Sequence, residues 1–240
     1  MTSYFVSGSN RGIGLEMVRI IANRPGAIVF AGARNPSKAS ELKKLAAKYP
    51  NIHIVKLDSS STTDAQAAAH TIEEVSGGLD VVIANAGIAE NWEKVVTVDP
   101  QSLYEHFKVN TIGPLILFQA LYPVLLKRQT RKFVTISSLV GAITNMLDVP
   151  ETAYGTSKAA LNFVTKRIHL EHSHEGFIAF PIHPGTVNTD MGQAAAPVFG
   201  LTEFPVLPLD SAKGVLTVVD AATANESGRF WNFDGTENRW

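Results

Sequence analysis

Strand-length apolar runs alternate with helix-length amphipathic segments along this whole chain, and that alternation leaves few folds open. Tyr4 to Ser7 reads as a first strand and Ile13 to Asn23 as its helix. Ala27 to Ala33 is a second strand. Ser37 to Lys48 is helical, with Leu42 and Leu45 on one face, and Ile52 to Leu57 is a third strand. The Ala-rich helix Asp64 to Val75 leads to a short fourth strand, Asp80 to Ala84. A long helix is expected from about Ser102 to Arg128, a fifth strand over Phe133 to Ser137, and another long helix from Tyr154 to about His172. Phe177 to His183 is a sixth strand, Asp210 to Ala221 a late helix, and Gly228 to Phe233 a last strand. Continuous apolar strands separated by helices imply a mostly parallel sheet of about seven strands, covered on both faces. Right-handed crossovers make that sheet doubly wound. Such sheets bind ligands beyond the carboxyl ends of their strands.

Composition narrows the function. The chain has 240 residues, 45% hydrophobic and 18% charged, which suits one α/β domain over residues 1–240 with a full core. No linker or repeat divides it. Formal net charge is -1 and the cations are dispersed, so no nucleic-acid partner is expected. The absence of cysteine excludes disulfides, thiol catalysis and cysteine metal sites. The first strand starts too early to leave room for a signal peptide. No apolar run reaches the ~20 residues of a membrane span. A cytoplasmic protein with no membrane partner is the expectation.

Directly after the first strand comes Ser7-Gly8-Ser9-Asn10-Arg11-Gly12-Ile13-Gly14. Gly8 permits a tight turn, Gly12 lets backbone approach a pyrophosphate, and Gly14 allows close helix–strand packing. The helix N-terminus then offers N–H groups and a partial positive charge to phosphates. A plain glycine turn before a helix is the bland alternative. The spacing is G-x-x-x-G-x-G, not the commoner G-x-G-x-x-G. The second strand ends Ala33-Arg34-Asn35, without the acid that would meet a ribose 2′-hydroxyl. Arg34 can instead pair with a 2′-phosphate, whose geometry suits a guanidinium. With Arg11 nearby and no acidic competitor, NADPH/NADP+ is favoured over NAD. Either arginine alone could be a solvated surface charge.

Tyr154 and Lys158 stand four apart on one helix face. A phenol titrates near pH ~10 unaided, and an adjacent ammonium favours its ionised form. The pair can therefore serve as an acid–base unit. Taken alone it is also what any surface helix turn could contain.

The chain resembles the short-chain dehydrogenase/reductase family over almost its full length. Ser7 to Gly14 is similar to that family's glycine motif, with Ser7 where threonine is usual. Asn85-Ala86-Gly87 is similar to its Asn-Ala-Gly motif, and Asn110 falls on its helix asparagine. Ser138 falls on the catalytic serine, and Tyr154 and Lys158 on the Tyr-x-x-x-Lys pair. Pro184-Gly185-Thr186-Val187-Asn188-Thr189 is similar to the Pro-Gly motif after the sixth strand. Asn10 to Glu16 looks nearest to sniffer-like carbonyl reductases, a neighbourhood that includes fungal ketoreductases of the norsolorinic acid type. The resemblance implies a single-domain Rossmann-type fold and reduction of a small-molecule ketone or aldehyde. It implies Tyr154 as general acid, Ser138 holding the carbonyl oxygen, and Lys158 tuning Tyr154 and binding the nicotinamide ribose. Asn110 would support a proton relay. Gly8, Asn10, Arg11, Gly12, Ile13, Gly14, Arg34, Asp58, Asn85, Ala86, Gly87, Pro184, Gly185, Val187 and Thr189 would join Tyr154 and Lys158 in holding the cofactor. Asp58 would contact adenine, or cap the Ser59–Ser61 turn. Thr189 would reach the carboxamide, or cap a helix; Thr186 is less secure. Ser137 is the alternative to Ser138, though strand alternation aims it to the opposite face.

Two segments would shape the substrate pocket: Leu139 to Thr152, and a loop at about 190–209 holding Met191, Phe199, Phe204 and Val206. With Trp92 as a further wall, they favour an apolar or aromatic carbonyl; packing on a neighbouring subunit is the alternative. The two long helices match the family's dimer-forming pair, so a homodimer or homotetramer is expected. His169, His172 and His174 read as a solvated helix end rather than a metal site, and no metal is expected elsewhere. Lys127, Arg128, Arg131 and Lys132 read as a solubilising basic loop. An alcohol dehydrogenase working oxidatively and a redox-silent NADPH-binding regulator are the competing readings.

Overall fold

The first strand, β1 (Thr2–Ser7), is buried along nearly its whole length, as a strand flanked on both sides must be. The computed structural model describes residues 1–240. In it β1 pairs with β2 (Ala27–Ala33) on one side and β4 (Val81–Ala84) on the other. With β3 (Ile52–Lys56), β5 (Lys132–Ile136), β6 (Ile178–His183), β7 (Phe230–Asn232) and β8 (Glu237–Asn238), the sheet runs β3-β2-β1-β4-β5-β6-β7-β8. All pairings are parallel except the last, in which β8 turns back along β7. The parallel doubly wound sheet is as expected. β8 is an eighth strand beyond the seven; two residues are too short to show a period of their own.

Side-chain alternation splits each strand between two cores. On one face, α1 (Gly12–Ala22), α2 (Ser40–Lys48) and α8 (Pro208–Ala221) pack over Val6, Val29, Ile83 and Phe180. On the other, α3 (Thr62–Ser76), α5 (Gly113–Leu126) and α6 (Thr152–His172) cover Phe5, Phe30, Val82 and Phe133. Burying each phenylalanine ring contributes roughly 1.5–3 kcal/mol.

The helix expected over Ser102–Arg128 starts slightly earlier and is not uniform. It comprises α4 (Pro100–Phe107), one π-helical turn at Lys108–Ile112, and α5. Asp99 caps it, its side chain accepting from the Gln101 N–H, with Pro100 at the first position. The full run Pro100–Leu126 is 27 residues and apolar enough to pass for a membrane span, contrary to expectation. Leu117, Leu121 and Leu125 are buried in the core, which accounts for that apolarity.

The segment at 190–209 is not all loop. α7 (Asp190–Phe199) forms because Thr189 accepts from Gly192 N–H and Gly200, at φ 64°, supplies the left-handed terminator. The basic loop is more than solubilising. Lys132 is buried, donating to the carbonyls of Val219 and Asp220 at 2.7 and 3.0 Å. Arg128 donates to Ser76 O and Arg131 to Glu175 O. At the helix end, His172 is bonded to Glu175 and His169 to Ser227, both at 2.8 Å, so neither ring is merely solvated.

Candidate active site

Parallel pairing puts the carboxyl ends of β1, β4, β5 and β6 on one edge, and the site is assembled there. After β1 the chain turns through Gly8 at φ 65° and Gly12 at φ 57°. A Cβ on Gly8 would lie 2.9 Å from Ala86 Cα, and one on Gly14 only 2.3 Å from Gly8 O. No side chain caps α1, so its first N–H groups are free to meet an anion. Ser7, to which the sequence reading gave no role, joins this loop to the next motif. Its Oγ accepts the N–H groups of Asn85 and Ala86, both at 2.9 Å. Asn85 Nδ2 returns bonds to Ser7 O and Gly8 O at 2.9 and 3.2 Å. Ile13 packs against the core below.

Asn10 and Arg11 are exposed on this loop. Arg11 is ion-paired with Asp190 at the start of α7, at 2.7 Å. Arg34 is exposed at the end of β2, so the two arginines are not equivalent. Asp58 Oδ1 accepts from the Ser60 N–H at 3.0 Å and the Ser60 hydroxyl at 2.8 Å. Those bonds, foremost the backbone one, hold its carboxyl below the usual range, with smaller help from Arg34 and Lys108. Asp58 thus builds the turn, while the cap of α3 is Ser61.

Tyr154 and Lys158 lie in the first two turns of α6. Lys158 is buried and donates to Ile136 O at 2.7 Å, its Nζ 5.7 Å from the centroid of the Tyr154 ring. A Cβ at Gly87 would come within 3.6 Å of that Nζ, so glycine keeps this space open. Burial lowers the Lys158 ammonium to about 8. The expected depression of the Tyr154 phenol by Lys158 is not realised. Burial raises the phenol, the Ser138 hydroxyl opposes this, and the charge of Glu151 adds to it. The ammonium is aimed at a carbonyl and the ring, so desolvation wins.

Ser138, two residues past β5, is within hydrogen-bonding reach of Tyr154, and its Oγ accepts from Val140 N at 3.4 Å. Ser137 is buried and donates to Asn162 Oδ1 at 2.6 Å, away from the phenol. Asn110, in the π turn, spends its amide on structure. Nδ2 donates to Ile88 O at 2.9 Å and Ser157 Oγ at 3.0 Å, and Oδ1 accepts from Ile88 N at 2.8 Å. Its side chain is therefore not bonded to Lys158.

The Pro-Gly segment closes the far side. Pro184 O accepts from Ser211 at 2.6 Å, and Gly185, at φ 87°, packs against Phe233. Val187 is buried and bridges Val206. Thr189 caps α7, as one of its two readings held, and its methyl would meet a Cβ on Gly12 at 3.3 Å. Over the tyrosine, the Trp92 ring stands 6.0 Å from Tyr154 and 5.8 Å from Phe199.

Two titratable groups here escaped the sequence reading. Glu151, the residue that precedes the first turn of α6, is buried with Oε2 unpartnered, and burial pushes it up to about 8. His183, at the end of β6, accepts from the Leu139 N–H at 3.4 Å, and burial lowers it to about 4. Only the position of Glu151 relative to Tyr154 could have signalled either.

Comparisons with known proteins bear on the family and the fold. The short chain dehydrogenase family matches residues 3–197. The chain is 39% identical to the norsolorinic acid ketoreductase of Aspergillus parasiticus, over 100% of this chain and 91% of that one. It is similar to the carbonyl reductase Sniffer of D. melanogaster at TM-score 0.92 and 31% identity, covering both chains completely. An NADPH-bound carbonyl reductase from chicken fatty liver superposes at TM-score 0.91 and 33% identity, over 100% of this chain and 99% of that one.

Proposed function

The chain belongs to the short-chain dehydrogenase family and is an oxidoreductase, and from that premise we propose that residues 1–240 form one catalytic unit reducing an apolar or aromatic ketone or aldehyde with NADPH. The observation that carries the proposal is the placement of Ser138, Tyr154 and Lys158 at the sheet edge, beside an uncapped helix N-terminus and a glycine cradle. The residues present suit the cofactor. Side chains at Gly8 or Gly14 would fill the cradle, the free N–H groups of α1 suit a pyrophosphate, and Arg34 suits a 2′-phosphate. Asn10, Asp58, the Asn85–Gly87 backbone and Thr189 would complete the rim. NADPH, when bound, supplies the hydride.

This chain's residues do the rest. Ser138 donates a hydrogen bond to the carbonyl oxygen, where negative charge develops. Tyr154, kept protonated by burial, gives that oxygen its proton. Lys158, anchored on Ile136 O beside the ring, holds the ribose hydroxyls. Asn110 keeps the Ile88 loop and the Ser157 turn together around them. Trp92 and Phe199 offer aromatic surface to the rest of the substrate, which supports an apolar or aromatic group there. The exposed Phe163 and Leu170 on α6, beside a groove lined by Leu115 and Phe118 of α5, support a homodimer across these helices.

The test is NADPH consumption across a carbonyl panel. Tyr154→Phe should lower turnover at least ~100-fold while NADPH binding persists. Undiminished turnover would remove Tyr154 as the acid.

A further inference from the structure

One buried side chain beside Tyr154 is not accounted for by the reaction just described. His106, on α4, is 1% exposed, and its ring centroid lies 6.3 Å from that of Tyr154, at 68°. Its Nδ1 is 2.7 Å from the carbonyl of Ser102, which can only accept, so Nδ1 carries the proton. Nε2 is then an acceptor, and it takes the N–H of Glu90 at 3.1 Å. Both ring nitrogens are therefore committed, in one tautomer.

The Glu90 bond is one of a series. Four residues along, Asn110 holds both the N–H and the C=O of Ile88. Residues four apart share a helix face, so His106 and Asn110 together grip the segment leaving β4. Asn91 Nδ2 reaches Ser102 Oγ at 3.4 Å. Glu93 O accepts from Thr152 at the start of α6, through the N–H at 3.3 Å and the hydroxyl at 3.0 Å. Between these anchors Asn91 adopts φ 55°, one of two non-glycine residues with positive φ. Such a conformation persists where its surroundings over-determine it. The next residue is Trp92, whose ring meets Tyr154 at 6.0 Å and 69°. Tyr154 is thus flanked by the rings of His106 and Trp92, and His106 fixes the backbone that presents Trp92.

We propose that His106 is a positioning residue for carbonyl reduction, holding the Ile88–Glu93 segment through the Glu90 N–H so that Trp92 and Tyr154 frame the carbonyl. The inference rests on the reductase reading only for what the site does; the placement of Trp92 by His106 stands apart from it. The hydrogen-bond partners of His106, Ser102 and Glu90, both lie outside the glycine loop, so its loss acts more on the carbonyl than on NADPH.

The test uses the full chain with Trp231→Phe and Trp240→Phe, which leaves Trp92 as the sole indole of the three. In that background His106→Phe keeps a ring but removes both bonds, whereas His106→Gln restores an acceptor near Nε2. His106→Phe should red-shift Trp92 emission and lower carbonyl kcat/KM about 10-fold or more, a loss in keeping with small misplacements of reacting groups. The Kd for NADPH should stay within about 2-fold, well under that loss. His106→Gln should recover much of both signals. Unchanged Trp92 emission and kcat/KM in His106→Phe would overturn the proposal. So would parallel loss of NADPH binding and thermal stability in both variants, the pattern of a purely structural residue. If the parent protein turns over no carbonyl, the reductase reading fails, and the emission comparison still decides whether His106 places Trp92.

Discussion

The guanidinium of Arg11 lies 2.7 Å from the carboxylate of Asp190, joining the glycine loop to the first turn of α7 across 179 positions of sequence. The two arginines that favour NADPH in the sequence are thereby separated in role. Arg11 already has an anionic partner, while Arg34 stands exposed at the end of β2 with no ion pair. Both partners of the Arg11 pair are about 70% exposed, so the pair itself contributes only ~0–1 kcal/mol.

Arg34→Ala should therefore cost more NADPH selectivity than Arg11→Ala. A lost charge-assisted bond to phosphate is worth roughly 1.5–3 kcal/mol, or about 10- to 150-fold in the NADPH/NADH ratio of kcat/KM. Steady-state kinetics with both cofactors checks this. Equal losses in the two variants would contradict the division of roles.

Glu151 makes stability depend on pH. Burial raises its carboxyl from 4.5 to about 8, so between those values the folded chain holds a proton that the unfolded chain releases. Stability from this group is full below 4.5, falls as pH rises through the window, and is flat above about 8. Glu151→Gln removes the titration. Its advantage over the parent should grow from pH 5 to pH 8, by on the order of 1 kcal/mol per unit of pH. Urea midpoints across that range measure it, and a constant gap would contradict burial as the cause.

Gly14→Ala should be strongly destabilising. The added methyl would sit 2.3 Å from Gly8 O and 2.6 Å from Asn85 Nδ2, and backbone oxygen cannot step aside as a flexible side chain could. Overpacking of this kind typically costs about 1–3 kcal/mol. A lowered Tm together with weakened NADPH binding is the expected result. Gly26→Ala, where a Cβ meets nothing within 4 Å but φ is 70°, isolates the backbone cost alone.

Much of the site was legible along the chain because its motifs are local. A glycine turn between a strand and a helix, a Tyr–Lys pair on one helix face, and the alternation that turned Ser137 inward and Ser138 outward all depend on neighbours within a few residues. The helical stretch Asp190–Phe199 was harder to see. It lies within the stretch expected as a pocket-shaping loop, and the outcome was decided by the caps Thr189 and Gly200.

The α/β alternation, the parallel sheet and the order of the motifs along its edge follow from the chain alone, since period and spacing are properties of contiguous residues. What each polar group meets was settled by the packing of distant segments. It gave Arg11 to Asp190, Lys158 to Ile136 O, and His106 to the Glu90 N–H. It also set the balance at Tyr154, where desolvation raises the phenol against the opposing bond from Ser138. Burial and long-range hydrogen bonds arise when distant segments pack together, and no local pattern encodes which carbonyl or carboxylate will be within reach.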